Sequence, residues 1–222
     1  MILNDRQIRE MAEEHGMIDP FHQGLVSSTD AGPVISFGPS SFGYDIRLSP
    51  EDFRIFRHLP GQVVDPKNVN PNHVEKAELM EDQNGEYFIL PGNSYGLGVA
   101  IEKLNVPENT SVLAIGKSTY ARSGLIANLT PAEPGWRGHL TLEFSNSSPA
   151  DCRIYANEGV VQLLFLRGES AGTCYNARNG KYQDQKLEVT LPRVLGRLAQ
   201  SRKGMDSSHT QSSPSIIWRD LS

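Results

Sequence analysis

Most of this chain consists of short apolar runs separated by turn residues. From about residue 34 onward, brief alternating or continuous apolar runs are cut by Gly, Pro, Asn and Asp, and no second long stretch of 3.6-residue periodicity precedes the tail. Many short strands joined by tight turns predict a mainly β fold, a distorted jelly roll or barrel. The predicted strands include Tyr44–Leu48, Tyr87–Leu90, Ser94–Ala100, Ser111–Ile115, His139–Ser145 and Val160–Leu166.

A short helix is predicted at the N-terminus. Asn4 and Gln7 have the spacing of an N-cap residue and its reciprocal partner three positions later. The helix is expected to end at His15 and Gly16. Its predicted apolar face is Ile8, Met11 and Ala12.

Length and charge limit the class of protein. With 222 residues, one domain is favoured over a domain with an appendage. The formal net charge is −5 and no run of Lys or Arg stands out, so we expect no nucleic-acid-binding surface. Small anionic ligands need only a few placed cations. No charged leader precedes an apolar core and no run of about 18 apolar residues occurs, so a cytoplasmic protein that does not enter membranes is expected.

The two cysteines, Cys152 and Cys174, lack the paired spacing of a structural zinc site or a redox dithiol. We expect two buried or half-buried free thiols.

Glu143 is a candidate catalytic carboxylate. In the segment His139–Ser145, a period of two places Thr141, Glu143 and Ser145 on the face opposite the apolar residues. On this pattern alone, a glutamate on the solvent face of a half-exposed strand is the favoured interpretation. The surrounding segments decide between a catalytic and a solvent-exposed Glu143.

The segment Gly116–Gly124 follows an apolar strand, and its first seven residues carry two cations, Lys117 and Arg122, and the hydroxyls of Ser118 and Thr119. Such a loop can bind phosphates, and a polar surface turn is an equal alternative. Its Gly-Lys-Ser core is not a P-loop, because Ser111 stands where that motif needs glycine.

Two further segments are polar and rich in turns. Thr130–Gly138 leads into the Glu143 strand and carries a second carboxylate, Glu133, and a tryptophan, Trp136, that is expected in the core. Late in the chain, Tyr175 and the segment Gly180–Gln185 combine aromatic and polar residues with a glycine hinge, which suits a lid over a ligand.

Taken together, these segments resemble the dCTP deaminase family, whose members are related to the trimeric dUTPases. The resemblance runs from about residue 5 to Pro192. Its matching segments are Ser41–Arg47, Val64–Asn68, Gly116–Arg122, Thr130–Pro134, Gly138–Asn146, Ile154–Gly159 and Gly180–Gln185.

The resemblance implies a dUTPase-like β-barrel protomer and a homotrimer, with active sites at subunit interfaces and a lid supplied by a neighbour. Glu143 matches the catalytic carboxylate, and Ser118 and Arg122 match residues beside the reacting end of the base. The other implied substrate-binding residues are Lys117 and Thr119 in the same loop, Thr130 and Glu133 in the turn, Gln162, and the lid residues Tyr175, Lys181, Tyr182 and Gln185.

The implied reaction is hydrolytic deamination of dCTP to dUTP, with dTTP as a possible feedback inhibitor. A buried carboxylate with a raised pKa can relay the required protons. Zinc deaminases use an H-x-E motif and a P-C-x-x-C motif instead, and this chain has His73 and Glu75 but no P-C-x-x-C. No zinc and no protein metal ligand are therefore expected, and Mg²⁺ is expected only on the triphosphate.

One turn departs from the family pattern. Better-known relatives place an arginine and an aspartate before Pro-Gly-Trp, whereas this chain is shorter there and carries Glu133. In related dUTPases and bifunctional enzymes, that aspartate positions the water that attacks the α-phosphate. Deamination alone is favoured, a bifunctional enzyme that yields dUMP is the first alternative, and a non-catalytic nucleotide-binding relative is the second.

The tail has a different character. We expect residues 1–192 to form the β domain, with the lid at about residues 172–192, and residues 193–222 to be an extension. Val194–Leu198 is a candidate short helix, and Ile216–Trp218 is a candidate anchor after a Ser-rich stretch. An unstructured extension fits the composition equally well.

Overall fold

The computed structural model describes residues 1–57 and 61–194. The helix expected at Val194–Leu198, apart from Val194 itself, and the anchor at Ile216–Trp218 lie outside the described residues. In the described part, every predicted strand is present, although most are longer than expected. The strands are β1 (Ile18–Asp19), β2 (Val26–Thr29), β3 (Gly32–Ser40), β4 (Gly43–Phe56), β5 (Val74–Lys76), β6 (Met80–Asp82), β7 (Gly85–Leu90), β8 (Tyr95–Asn105), β9 (Thr110–Gly116), β10 (Leu125–Ala127), β11 (Thr130–Ala132), β12 (Arg137–Asn146), β13 (Cys152–Tyr155) and β14 (Gly159–Arg167).

Three short helical segments accompany the strands: α1 (Asp5–His15), α2 (Ser118–Ala121) and a 3-10 turn at Pro71–His73. Helix α1 has the predicted capping box, in which the Asn4 side chain accepts from the Gln7 N–H and the Gln7 side chain accepts from the Asn4 N–H. It ends at Gly16, whose φ of 61° is the left-handed conformation that favours glycine. The N-terminal prediction is confirmed.

One antiparallel sheet curls around the core. Its continuous path is β10-β12-β8-β4-β14-β9-β11, with β1, β2, β3 and β5 attached, while β13, β7 and β6 form a second, three-stranded sheet. Strand β4 is the central strand of this path and joins its two halves, because its first part pairs with β14 and the part from Leu48 onward pairs with β8, with an irregularity between Leu48 and Phe53. The mainly β, barrel-like prediction is confirmed.

Aromatic rings fill the space inside the curl. Phe53 stacks on Phe88 and on Phe144, with ring centroids 5.1 Å and 6.0 Å apart. On β8, a Cβ atom at Gly98 would lie 2.5 Å from the Leu48 side chain, so glycine there gives the core its room. Fully burying side chains of this size contributes roughly 1.5–3 kcal/mol each.

The cysteines are free thiols, as expected. Cys152 is half-buried and Cys174 is buried.

Candidate active site

Glu143 lies on β12 with its side chain in a pocket rather than in open solvent. Strand β12 alternates between buried apolar positions and half-buried polar ones, and Thr141, Glu143 and Ser145 occupy the polar face as predicted. The chain after Cys174 covers part of this face. The surface interpretation favoured by strand alternation is therefore wrong for Glu143.

Thr130 holds the Glu143 carboxylate. Its hydroxyl donates a hydrogen bond of 2.6 Å to Glu143 Oε2. The main chains are also linked, because the Asn128 N–H donates to the Glu143 carbonyl at 2.9 Å. Thr130 begins β11, which pairs with β9, so the donor is carried by a hydrogen-bonded strand.

Burial raises the pKa of the Glu143 carboxyl, and the Thr130 hydrogen bond opposes this shift by stabilising the charged form. Burial prevails. A carboxyl whose pKa is raised toward the working pH can both take up and release a proton, as a proton relay must.

The pocket around Glu143 has a volume of about 440 Å³, a size typical of small-molecule sites. Apolar side chains form much of its wall, and a few polar groups converge in it. Its lining residues are Phe56, Tyr95, Leu97, Thr130, Pro131, Glu133, Trp136, Leu140, Thr141, Glu143, Tyr175, Lys181, Tyr182, Gln185, Thr190 and Pro192.

The segment that was predicted to be a lid closes one end of this pocket. Gln185 lies across β12: its carbonyl accepts from the His139 N–H at 3.0 Å, and its side-chain oxygen accepts from the Thr141 hydroxyl at 2.9 Å. Gly138 permits this approach, since a Cβ atom there would lie 2.6 Å from the Gln185 nitrogen and the φ of Gly138 is 137°.

Aromatic groups anchor the remainder of the segment. The Trp136 indole N–H donates to the Tyr182 carbonyl at 2.8 Å, and the Tyr182 N–H donates to the Tyr175 hydroxyl at 2.9 Å. Trp136 is buried, as predicted for a core residue. Lys181 places its Nζ 4.8 Å from the centre of the Tyr182 ring and donates to the Arg193 carbonyl at 2.9 Å.

These contacts lie within a single chain. The resemblance implied that a neighbouring subunit supplies the lid, whereas here the segment packs on β12 of its own chain.

Glu133 faces the same segment. Its carboxylate forms an ion pair with the Arg178 guanidinium, which also lies 5.4 Å from the centre of the Tyr175 ring. The carboxylate at the altered turn is thus bound to a cation of the closing segment.

Seven of the predicted site residues line this pocket: Thr130, Glu133, Glu143, Tyr175, Lys181, Tyr182 and Gln185. The other five lie elsewhere on the chain. Ser118, Thr119 and Arg122 are exposed on and beside α2.

Lys117 and Gln162 have internal partners instead. Lys117 Nζ donates to Asp45 Oδ2 at 2.5 Å and to the Ser36 hydroxyl at 3.2 Å. Gln162 donates to the Ser40 hydroxyl at 3.2 Å. Burial raises the pKa of Asp45, and the hydrogen bond and charge of Lys117 oppose that shift. In a single chain, the predicted site is therefore divided between the pocket and a separate polar group around α2 and β9.

Sequence reasoning missed five polar or aromatic members of the pocket, namely Phe56, Tyr95, Trp136, Thr141 and Thr190. The alternation of β12 already placed Thr141 beside Glu143. Phe56 and Tyr95 belong to β4 and β8, and their place depends on strand register.

Within residues 1–57 and 61–194, no three His, Cys, Asp or Glu side chains are grouped so that they could hold a metal ion. The same part of the chain contains no helix that is both long and apolar enough to cross a membrane.

A curled antiparallel sheet with a carboxylate pocket under its C-terminal segment places this chain in the class of mainly β, barrel-like proteins. The fold is similar to the crystal structure of 2'-deoxycytidine 5'-triphosphate deaminase from Agrobacterium tumefaciens, with a TM-score of 0.50 and 16% identity. That likeness covers 75% of this chain and 48% of the other, so this chain spans about half the length of that one.

Sequence comparison identifies the family. The family model described as dCTP deaminase-like matches residues 2–168. A protein of Stenotrophomonas maltophilia (strain R551-3) called dCTP deaminase is 47% identical over 196 residues, covering 87% of this chain and 99% of that protein. A dCTP deaminase of Psychrobacter cryohalolentis is 48% identical over 197 residues, with the same coverage. The chain belongs to the dCTP deaminase-like family.

Proposed function

We propose that this protein is an enzyme that hydrolyses dCTP to dUTP and ammonia, with Glu143 as the proton relay. The observation that carries the proposal is the half-buried Glu143 carboxyl, with its raised pKa and its Thr130 hydrogen bond, in a pocket of a dCTP deaminase-like chain. Such a group suits the chemistry, because deamination needs one group that both accepts and donates protons.

The steps balance with water as the only co-reactant. Glu143 takes a proton from the water as the water oxygen bonds to C4 of cytosine, and passes that proton to ring N3. Glu143 then takes the proton of the new C4 hydroxyl and gives it to the amino group, so that the C4–N bond breaks, ammonia leaves and C4 keeps a carbonyl oxygen. Transfers of this kind through one positioned carboxyl contribute about 10²–10⁴-fold to a rate.

The triphosphate is assigned to the closing segment. Lys181 supplies a cation and Tyr182 and Gln185 supply polar groups at the end of the pocket where that segment crosses β12. Mg²⁺ enters as part of the substrate, where it neutralises phosphate charge, and no resident zinc or other metal takes part.

Ser118 and Arg122 are assigned to the reacting end of a site on a neighbouring subunit of a homotrimer. Support comes from their position, since both are exposed and lie outside their own chain's pocket. Lys117 and Thr119 belong to the same loop. This arrangement completes the predicted site only when chains associate.

The supply of dUTP for dUMP and dTTP synthesis, a cytoplasmic location and inhibition by dTTP form part of the same proposal. The supply of dUTP and the inhibition by dTTP follow from the resemblance.

Deamination without further hydrolysis is favoured by the Glu133–Arg178 ion pair. A carboxylate bound to a lid cation is poorly placed to hold a water against the α-phosphate. A bifunctional enzyme that yields dUMP, and a non-catalytic nucleotide-binding protein, are the two alternatives.

Product analysis distinguishes the three. Incubation of the full chain with dCTP and Mg²⁺ should yield equal amounts of dUTP and ammonia. Release of dUMP and pyrophosphate would establish the bifunctional alternative. Nucleotide binding without release of ammonia would support the non-catalytic nucleotide-binding alternative.

A further inference from the structure

Tyr95 lies in the pocket beside Glu143. In the pairing of β8 with β12, Tyr95 is opposite Ser145 and Leu97 is opposite Glu143, so Tyr95 and Glu143 are diagonal neighbours on one face of the sheet. Both side chains line the pocket together with Thr130. The hydroxyl of Tyr95 is a polar group at this end that the mechanism above does not use.

The ring of Tyr95 is held in place. It packs against Phe56 with ring centroids 5.3 Å apart, and its hydroxyl oxygen accepts a hydrogen bond of 3.3 Å from Asn128 Nδ2. Asn128 in turn donates its N–H to the Glu143 carbonyl at 2.9 Å. One residue therefore positions both the phenol and the strand that carries the carboxylate.

This arrangement leaves the hydroxyl hydrogen of Tyr95 without an acceptor among the described residues. Among the described residues, Asn128 is the one hydrogen-bond partner of the Tyr95 hydroxyl, and Tyr95 acts there as the acceptor. The hydrogen is therefore left to donate to a ligand. Burial and the charge of Glu143 raise the pKa of Tyr95 to about 12, so the group is a donor throughout the physiological pH range.

The position in the pocket indicates which part of a nucleotide this donor meets. The closing segment crosses β12 at Gly138, five residues before Glu143, and its Gln185 side chain reaches Thr141, two residues before Glu143. If Lys181 and Gln185 hold the phosphates at the end of the pocket that this segment closes, the base lies at the other end, beside Glu143 and Tyr95.

We propose that Tyr95 contacts the substrate and reads its base, donating a hydrogen bond from its hydroxyl to an acceptor atom of the pyrimidine ring beside Glu143. The assignment of the ligand rests on the proposed function, and the placement of the donor rests on the geometry of the pocket.

The test compares Tyr95→Phe with its parent in a Glu143→Gln background, so that bound nucleotide is not turned over. Calorimetry measures the affinity for dCTP and for inorganic tripolyphosphate, both with Mg²⁺. Loss of one neutral hydrogen bond should weaken dCTP binding about three- to tenfold. Tripolyphosphate has no base, so its affinity should stay unchanged. Tyr155→Phe makes the same chemical change on β13, outside the pocket, and should alter neither value.

Two results would overturn the proposal: dCTP affinity equal to that of the parent, or equal weakening of dCTP and tripolyphosphate, which would mean a general structural role. Ammonia release by the unmodified protein is measured separately. Its absence would refute the proposed reaction, and the binding comparison would still decide the role of Tyr95.

Discussion

The Thr130 hydroxyl lies 2.6 Å from Glu143 Oε2 and donates its hydrogen to that oxygen. Residues on two different strands, β11 and β12, thus form the donor and acceptor of one short hydrogen bond in the pocket. Burial raises the pKa of the Glu143 carboxyl and this hydrogen bond lowers it, so the bond limits the size of the upward shift.

Thr130→Val removes this donor while it preserves the shape of the side chain. The pKa of Glu143 should then rise further, because burial is opposed only by the remaining backbone hydrogen bond of Glu143. Glu143 must be charged to take a proton from water, so the acid limb of the kcat/KM profile should move to higher pH. We also expect kcat/KM for dCTP to fall about tenfold or more, since hydrogen bonds to charged groups are worth about 1.5–3 kcal/mol.

Thr29→Val is the matched control, because Thr29 is exposed on β2 and lies outside the pocket. A Thr130→Val enzyme with an unchanged acid limb would show that the hydrogen bond does not tune the catalytic carboxyl.

Glu143→Gln should abolish most of the ammonia release, by about 10²–10⁴-fold, and leave dCTP binding within a fewfold of the parent value. Steady-state kinetics and calorimetry measure the two quantities. Near-normal turnover by this variant would exclude Glu143 as the proton relay.

The same substitution should also change the stability of the fold. The pKa of Glu143 is raised in the folded protein, so the charged carboxylate destabilises the fold relative to the protonated form. That cost is absent below the pKa of the unfolded chain and is fully present once pH exceeds the folded pKa. Because Gln resembles the protonated form, the Tm of Glu143→Gln should match the parent at low pH and exceed it increasingly as pH rises.

Glu78→Gln supplies the comparison for this stability effect, because Glu78 is exposed. Its Tm should follow that of the parent across the same pH series. A Tm difference for Glu143→Gln that shrinks as pH rises would contradict a raised pKa of Glu143 in the folded protein.

Strand alternation located the polar face of β12 correctly, yet it could not show what covers that face. The cover is the segment that contains Gln185, more than 40 residues later in the chain, and its hydrogen bonds to His139 and Thr141 are tertiary contacts with no local signal. This is why a surface position was the favoured interpretation for Glu143 from the strand pattern alone.

Register explains the omission of Tyr95. Its strand was predicted, but its place beside Glu143 depends on the pairing of β8 with β12, which shifts between His139 and Thr141. Such an irregularity moves side chains relative to their partners and cannot be read from either strand separately. The separation of Ser118 and Arg122 from the pocket had a different cause, because a short motif indicates shared chemistry without showing where the fold places its residues.

Lys181→Met keeps an unbranched apolar side chain and removes the charge of the Nζ that lies 4.8 Å from the centre of the Tyr182 ring. If Lys181 binds the triphosphate, KM for dCTP should rise about tenfold, with a smaller change in kcat. Lys186→Met is the control, since Lys186 is exposed in the same segment and does not line the pocket. Equal effects of the two variants would assign the loss to net charge rather than to a phosphate contact.

Gly138→Ala tests how closely the lid must approach β12. Any side chain at Gly138 meets the Gln185 backbone, where a Cβ atom would lie 2.6 Å from the nitrogen and 2.9 Å from the carbonyl oxygen, and the φ of 137° is itself unfavourable for alanine. The segment around Gln185 must therefore move outward. We expect faster limited proteolysis of this segment and a kcat/KM for dCTP that is lower by about tenfold or more, because small displacements of positioning groups are costly.

Gly172→Ala is the matched change, since no heavy atom lies within 4 Å of a Cβ atom at that position. It should leave both proteolysis and kcat/KM near the parent values. The Gly138→Ala protein should also retain its circular dichroism spectrum, because the three atoms nearest to a Cβ atom there belong to Gln185 and not to the sheet. If proteolysis accelerates while kcat/KM stays at the parent value, closure by Gln185 is not required for turnover, and the role assigned to the lid is wrong.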